Sequence, residues 1–74
     1  MNFIPDQIYK IVGFSSETSV FYRHRLLTIG MLPGSIFQII RIAPLGDPIQ
    51  IKIRDLNLSL RKKDLAYFQL EIIK

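Results

Sequence analysis

The chain has 74 residues, 49% of them hydrophobic, and carries ten lysines and arginines against six acidic residues, for a net charge of +4. That length holds one domain, expected over residues 1–74, near the size at which a single core only just offsets chain entropy. The composition is too apolar for a disordered segment, and the lack of cysteine excludes disulfide staples and thiolate metal sites.

The segment Met1 to Asp6 lacks the basic and apolar regions of a secretory signal, and no run approaches the ~20 apolar residues of a membrane helix. A soluble cytoplasmic protein with no membrane insertion is expected. Residues Ile8 to Phe14 are rich in β-branched and aromatic types and predict a first strand, with Gly13 suited to a bend or bulge. Ser15 to Ser19 is a polar capping cluster in which Glu17 would complement a helix dipole. A helix follows from Val20 to Ile29, with Tyr22, Leu26 and Ile29 at i, i+4 and i+7, and Val20 and Leu27 widening the stripe. Arg23 falls inside that apolar arc and Phe21 inside the polar one. Gly30 then fits the position after the last turn, and Leu32-Pro33-Gly34-Ser35 fits a type II turn.

Ile36 to Ala43 predicts the second strand, with Ile36, Gln38, Ile40 and Ile42 on one face and Phe37, Ile39 and Arg41 on the other. Both faces are partly apolar, as in a strand that bends to serve two sheets of a small barrel. Ala43 to Pro48 must be a loop, because two prolines lack donors and Gly46-Asp47 supplies turn chemistry. Ile49 to Arg54 alternates isoleucine with polar residues, Asp55-Leu56-Asn57 predicts a turn, and Leu58 to Leu60 completes a hairpin. One helical turn over Arg61 to Ala66 leads to a last strand, Phe68 to Ile72, expected to pair with the first.

Residues that carry chemistry are sparse. His24 sits between Arg23 and Arg25, and the six carboxylates are dispersed with no metal-ligand spacing. No phosphate-cradling glycine motif occurs. The residues therefore point to no enzyme, no catalytic set, no intrinsic metal site and no cofactor. A cationic cluster of Lys52, Arg54, Arg61, Lys62 and Lys63 supplies the electrostatic half of a nucleic-acid footprint, without the interleaved aromatics that stack bases. A basic barrel that binds nucleic acid through Lys52, Arg54 and Lys62 is the alternative reading, although no nucleic-acid partner is expected. The apolar residues of the connections, Met31, Leu32, Pro44 and Leu45, either mark a partner site or plug the ends of the core.

Taken together, Arg25-Leu26 through Gly30, Leu32-Pro33-Gly34, Ala43-Pro44-Leu45-Gly46-Asp47-Pro48 and Leu58-Ser59-Leu60-Arg61 resemble the FeoA family of bacterial ferrous iron uptake proteins. The likeness spans essentially the whole chain. It departs at Asp55, where the family commonly places a turn glycine. The resemblance implies a mainly β fold, a small five-stranded SH3-like barrel with a helical insertion between strands 1 and 2. It also implies a part in iron homeostasis, through binding and regulation of the membrane transporter FeoB at its cytoplasmic side. Under that reading Tyr22, Arg25, Met31, Leu32, Pro44 and Leu45 are candidate partner-binding residues, while Leu26, Gly30, Pro33, Gly34, Gly46 and Pro48 are structural.

Overall fold

The computed structural model describes residues 3–73; Met1, Asn2 and Lys74, which the expected single domain includes, lie outside them. Five strands form one antiparallel sheet in the order β4-β3-β2-β1-β5. They are β1 (Ile8–Phe14), β2 (Ile36–Ile42), β3 (Ile49–Ile53), β4 (Leu56–Leu60) and β5 (Phe68–Ile73). A nine-residue helix, α1 (Val20–Thr28), is inserted between β1 and β2, and a single turn, α2 (Lys62–Leu65), joins β4 to β5. The expected pairing of the last strand with the first is present. Hydrogen-bonded closure of β5 onto β4 is not, so those two strands remain the sheet edges among the described residues.

The sheet coils around one core. Tyr9, Ile11, Phe37, Ile39, Ile49, Ile51 and Ile53 point to its inside and are buried, as period-two alternation requires. Two bulges bend the strands that have to wrap. In β1 the register against β5 slips between Ile11 and Gly13, at the place where the glycine predicted it. In β2 it slips between Ile39 and Arg41, leaving Ile40 as the extra residue. That slip moves Ile42 opposite core residue Ile49 and explains why both faces of this strand read as apolar. Ile36 and Ile40 remain on the outside, about half exposed.

The third-to-fourth hairpin is tighter than expected. Ile53 pairs with Leu56, so the loop is the two residues Arg54 and Asp55, and Leu56 and Asn57 belong to the strand. The positive φ of 56° falls on Arg54, the first loop residue, and not on a glycine. Along β5, burial fades from Phe68 to Ile72, which is 43% exposed, because an edge strand has a neighbour on one side only.

Helix α1 begins at Val20, where the sequence places it, and ends at Thr28, with Ile29 as its C-cap. Ser19 is the N-cap and its hydroxyl accepts from the Tyr22 N–H at 3.2 Å, while Glu17 precedes the cap and no acidic residue occupies the first turn. Of the expected stripe, Leu26 is buried and Tyr22, Leu27 and Ile29 are half-buried, but Val20 is 76% exposed. Arg23, the cation inside the apolar arc, lays its guanidinium over the Phe14 ring at 5.7 Å.

The helix ends in a Schellman motif. The Gly30 N–H donates to the Leu27 carbonyl at 3.0 Å and the Met31 N–H to the Leu26 carbonyl at 3.1 Å, with Gly30 at φ 98°. This geometry pairs the side chains of Leu26 and Met31, and both are in the buried cluster. The turn that follows is the expected one: the Ser35 N–H donates to the Leu32 carbonyl at 3.0 Å, and Gly34 has φ 90° after Pro33. Two further bonds, Gly34 N–H to the Ile11 carbonyl at 2.6 Å and Ile11 N–H to the Ser35 carbonyl at 2.9 Å, fasten this turn to β1.

Candidate partner-docking surface

Three elements meet at one end of the sheet: α1, the loop from Ala43 to Pro48, and α2. The loop is ordered from within by the Gly46 N–H, which donates to the Ala43 carbonyl at 2.8 Å, and by the Ala43 N–H, which donates to Pro48 at 3.1 Å. Pro44 and Leu45 are thereby the central pair of a turn with a proline at its second position and Gly46 at its fourth, the arrangement of a type I turn. The Asp47 carboxylate then accepts from the Lys62 backbone N–H at 2.7 Å and ties the loop to the start of α2. That turn is itself capped, with Asp64 accepting from the Arg61 N–H at 3.1 Å.

Opposite the loop stands the first turn of α1. Tyr22 stacks on Tyr67 with ring centroids 4.9 Å apart and an interplanar angle of 28°, and Phe21 meets Tyr22 edge-on at 5.8 Å. The position of Tyr67 is fixed from below. Its carbonyl accepts from the Ser15 N–H at 2.7 Å and from the hydroxyl of buried Thr18 at 2.9 Å. The Tyr67 phenol titrates above the ordinary tyrosine value, first through desolvation and then through the neighbouring Tyr22 phenol and Asp64 carboxylate.

Between these walls runs an open groove of about 400 Å³. It is lined by Tyr22 and Arg25 of α1, by Pro48 of the loop, and by Arg61, Lys63 and Asp64 at α2. The structure thus brings two of the candidate partner-binding residues, Tyr22 and Arg25, to one place, beside Pro48, whose expected role is structural. The remaining candidates fall elsewhere. Leu45 projects from the loop, 97% exposed, and Pro44 lines a separate shallow hollow with Arg41 and Gln50. Leu32, 37% exposed, begins the Pro33-Gly34 turn outside the groove. Met31 is fully buried and is corrected from a candidate contact to a core residue, because the Schellman motif folds it back against Leu26.

Sequence reasoning registered Arg61 and Lys63 in a charge cluster, and Arg61 also in a family motif, but not as groove residues, and it did not find Tyr67. Their convergence with Tyr22 and Arg25 depends on long-range packing, and a lone aromatic just before a strand gives no local sign of it. The cations of the nucleic-acid alternative do not converge. Arg54 sits in the hairpin loop, whereas Lys62 lies beyond the other end of β4, roughly 17 Å away for a five-residue strand. Among the described residues no group of three or more His, Cys, Asp or Glu could hold a metal ion, and no helix is long and apolar enough to cross a membrane.

Comparison with known proteins places this architecture. Residues 2–68 match the FeoA domain. Over 52 residues the chain is 38% identical to the Fe(2+) transport protein A/Fe(2+) transporter FeoB fusion protein of Porphyromonas gingivalis, a match that covers 70% of this chain and spans 6% of that much longer protein. Among solved structures, a Pseudomonas aeruginosa protein superposes with a TM-score of 0.80 at 47% identity, over 95% of this chain and 93% of the other. Iron(II) transport protein A of Clostridium thermocellum superposes with a TM-score of 0.86 at 32% identity, over 96% of this chain and 43% of the other. On the family match over most of its length and these like-folded relatives, the chain belongs to the FeoA family, with the mainly β SH3-like fold that its sequence predicts.

Proposed function

We propose that this protein is a non-enzymatic accessory of ferrous iron uptake in the cytoplasm, which docks on the cytoplasmic part of a FeoB transporter and regulates it. The observation that carries this reading is the relative in which the FeoA segment and the FeoB transporter are one polypeptide. Fusion keeps two modules at high effective concentration, which supports their working in contact. The surface offered for docking is the end of the sheet where α1, the Ala43 to Pro48 loop and α2 meet. It combines an exposed apolar tip at Leu45, half-buried Tyr22, and cations at its rim, the mixture of anchor and polar border found at protein interfaces.

The test is calorimetric titration of the 74-residue chain with a purified cytoplasmic fragment of a FeoB transporter. Saturable binding by the unaltered protein is expected, with Leu45→Asp weakening it about ten-fold while leaving the melting temperature in place, since a residue so exposed contributes little to folding. No binding by the unaltered protein would end the docking reading. Unchanged binding by Leu45→Asp would remove the loop tip from the surface.

A further inference from the structure

The groove between α1 and α2 has a charge pattern that the docking reading alone does not use. Three cations, Arg25, Arg61 and Lys63, border it against a single lining carboxylate, Asp64. Two acidic side chains of this region are engaged by backbone donors: Asp64 accepts from the Arg61 N–H at 3.1 Å and Asp47 from the Lys62 N–H at 2.7 Å. These bonds direct the carboxylates at the peptide backbone, and the groove keeps an excess of three cations over its one lining carboxylate. Between the cations lie apolar surfaces, Tyr22, Pro48 and Leu60.

We infer that this groove binds an acidic peptide segment of the protein partner, with the segment's carboxylates taken by Arg25, Arg61 and Lys63 and an apolar side chain seated between Tyr22 and Pro48. The inference rests on the docking reading for the partner's identity, but its chemistry comes from the groove. Guanidinium groups suit carboxylates because their planar fork can donate two parallel hydrogen bonds, and two of the three cations are arginines. A nucleic acid fits less well. Successive bases need a row of aromatic platforms, whereas the groove lining holds one aromatic residue, Tyr22, and one face of its ring is already stacked on Tyr67 at 4.9 Å. An acidic peptide needs no stacking platform and uses the features that are free, the cations and the apolar gap.

Two experiments on the 74-residue chain decide the matter. In the first, the transporter's cytoplasmic fragment is titrated against the unaltered protein, Arg25→Glu with Lys63→Glu, and Lys52→Glu with Arg54→Glu. The last pair makes the same change in net charge on the hairpin away from the groove. The groove pair is expected to lose at least about ten-fold in affinity and the hairpin pair about two-fold or less, because a specific charge contact outweighs a diffuse one. Equal losses in both pairs, or none in the groove pair, would overturn the inference while docking stands. In the second, a fluorescein-labelled deca-glutamate peptide and a ten-nucleotide single-stranded DNA are each followed by amide shifts of the folded protein. Peptide-induced shifts confined to residues 22–25 and 59–64 support the groove; tighter DNA binding there, or shifts spread evenly over all basic residues, refute it. This arm decides the inference even where the transporter fragment does not bind.

Discussion

Replacing Leu26 with alanine removes three carbon atoms from a side chain that is 4% exposed and is the one fully buried residue of α1. At about 0.8 kcal/mol for each buried carbon the transfer loss is about 2.4 kcal/mol, and incomplete collapse of the vacated space raises the total toward about 4 kcal/mol. Collapse is limited on one side, because the Schellman bonds hold the Met31 backbone beside Leu26 and leave only its side chain to shift into the space. A chain of 74 residues has a folding free energy of roughly 4–11 kcal/mol, so the substitution removes a large fraction of it. Near 3 kcal/mol, the expected fall in melting temperature is about 12–24 °C, at about 4–8 °C per kcal/mol for a domain of this size. Thermal and urea unfolding followed by circular dichroism would read this directly, with Phe21→Ala as control, since Phe21 lies on the same helix and is 72% exposed. A fall of less than about 4 °C in Leu26→Ala, or equal falls in the two variants, would refute the packing of α1 through Leu26.

Gly30→Ala should cost about 1–2 kcal/mol without any steric clash, because nothing lies within 4 Å of an added Cβ while φ is 98°; Gly30→Asn should cost less, and equal losses in urea unfolding would argue against a backbone origin. Stability should also fall above the ordinary tyrosine value of 10.0, because burial raises the Tyr9 pKa. The folded state keeps that proton after the unfolded chain has released it, so the contribution is complete below pH 10.0 and is lost as pH rises through the folded-state pKa. Tyr9→Phe should make the decline of melting temperature between pH 9.5 and 11, a window set at roughly the tyrosine range, shallower than in the unaltered protein.

Much of the fold was legible because its signals are local. Isoleucines at 49, 51 and 53 alternate with polar residues, and Gly30, Pro33 and Gly34 each require a backbone geometry that can be read residue by residue. What sequence reading missed depends on the third dimension. Met31 looked like an exposed loop residue because it follows a glycine and precedes Leu-Pro-Gly, yet the 6→1 bond of the helix cap turns it into the core. Leu56 looked like part of a turn because Asp55 and Asn57 flank it, but Arg54 accepts a positive φ and lets the strand resume at once. Val20 matched the helical stripe and is exposed because a nine-residue helix meets the sheet over its last turns only.

The groove was legible only in part, and the reason lies in the phase of α1. Tyr22 and Leu26 are four residues apart and share a face, with Arg25 three residues from Tyr22 on its flank. Seating Leu26 in the core therefore fixes the rotation of the helix and aims Tyr22, one turn earlier, and Arg25, the preceding residue, at the groove. The same residue that stabilises the insert sets the geometry of the surface proposed for recognition. It follows that Leu26→Ala should weaken partner binding even though Leu26 cannot touch a partner, and that this loss should shrink as the assay is cooled below the variant's melting transition. Arg25→Glu differs in kind: its side chain is exposed, so its loss of binding should persist at every temperature at which the protein is folded. A binding series over temperature separates the residue that orients the groove from the residue that forms it.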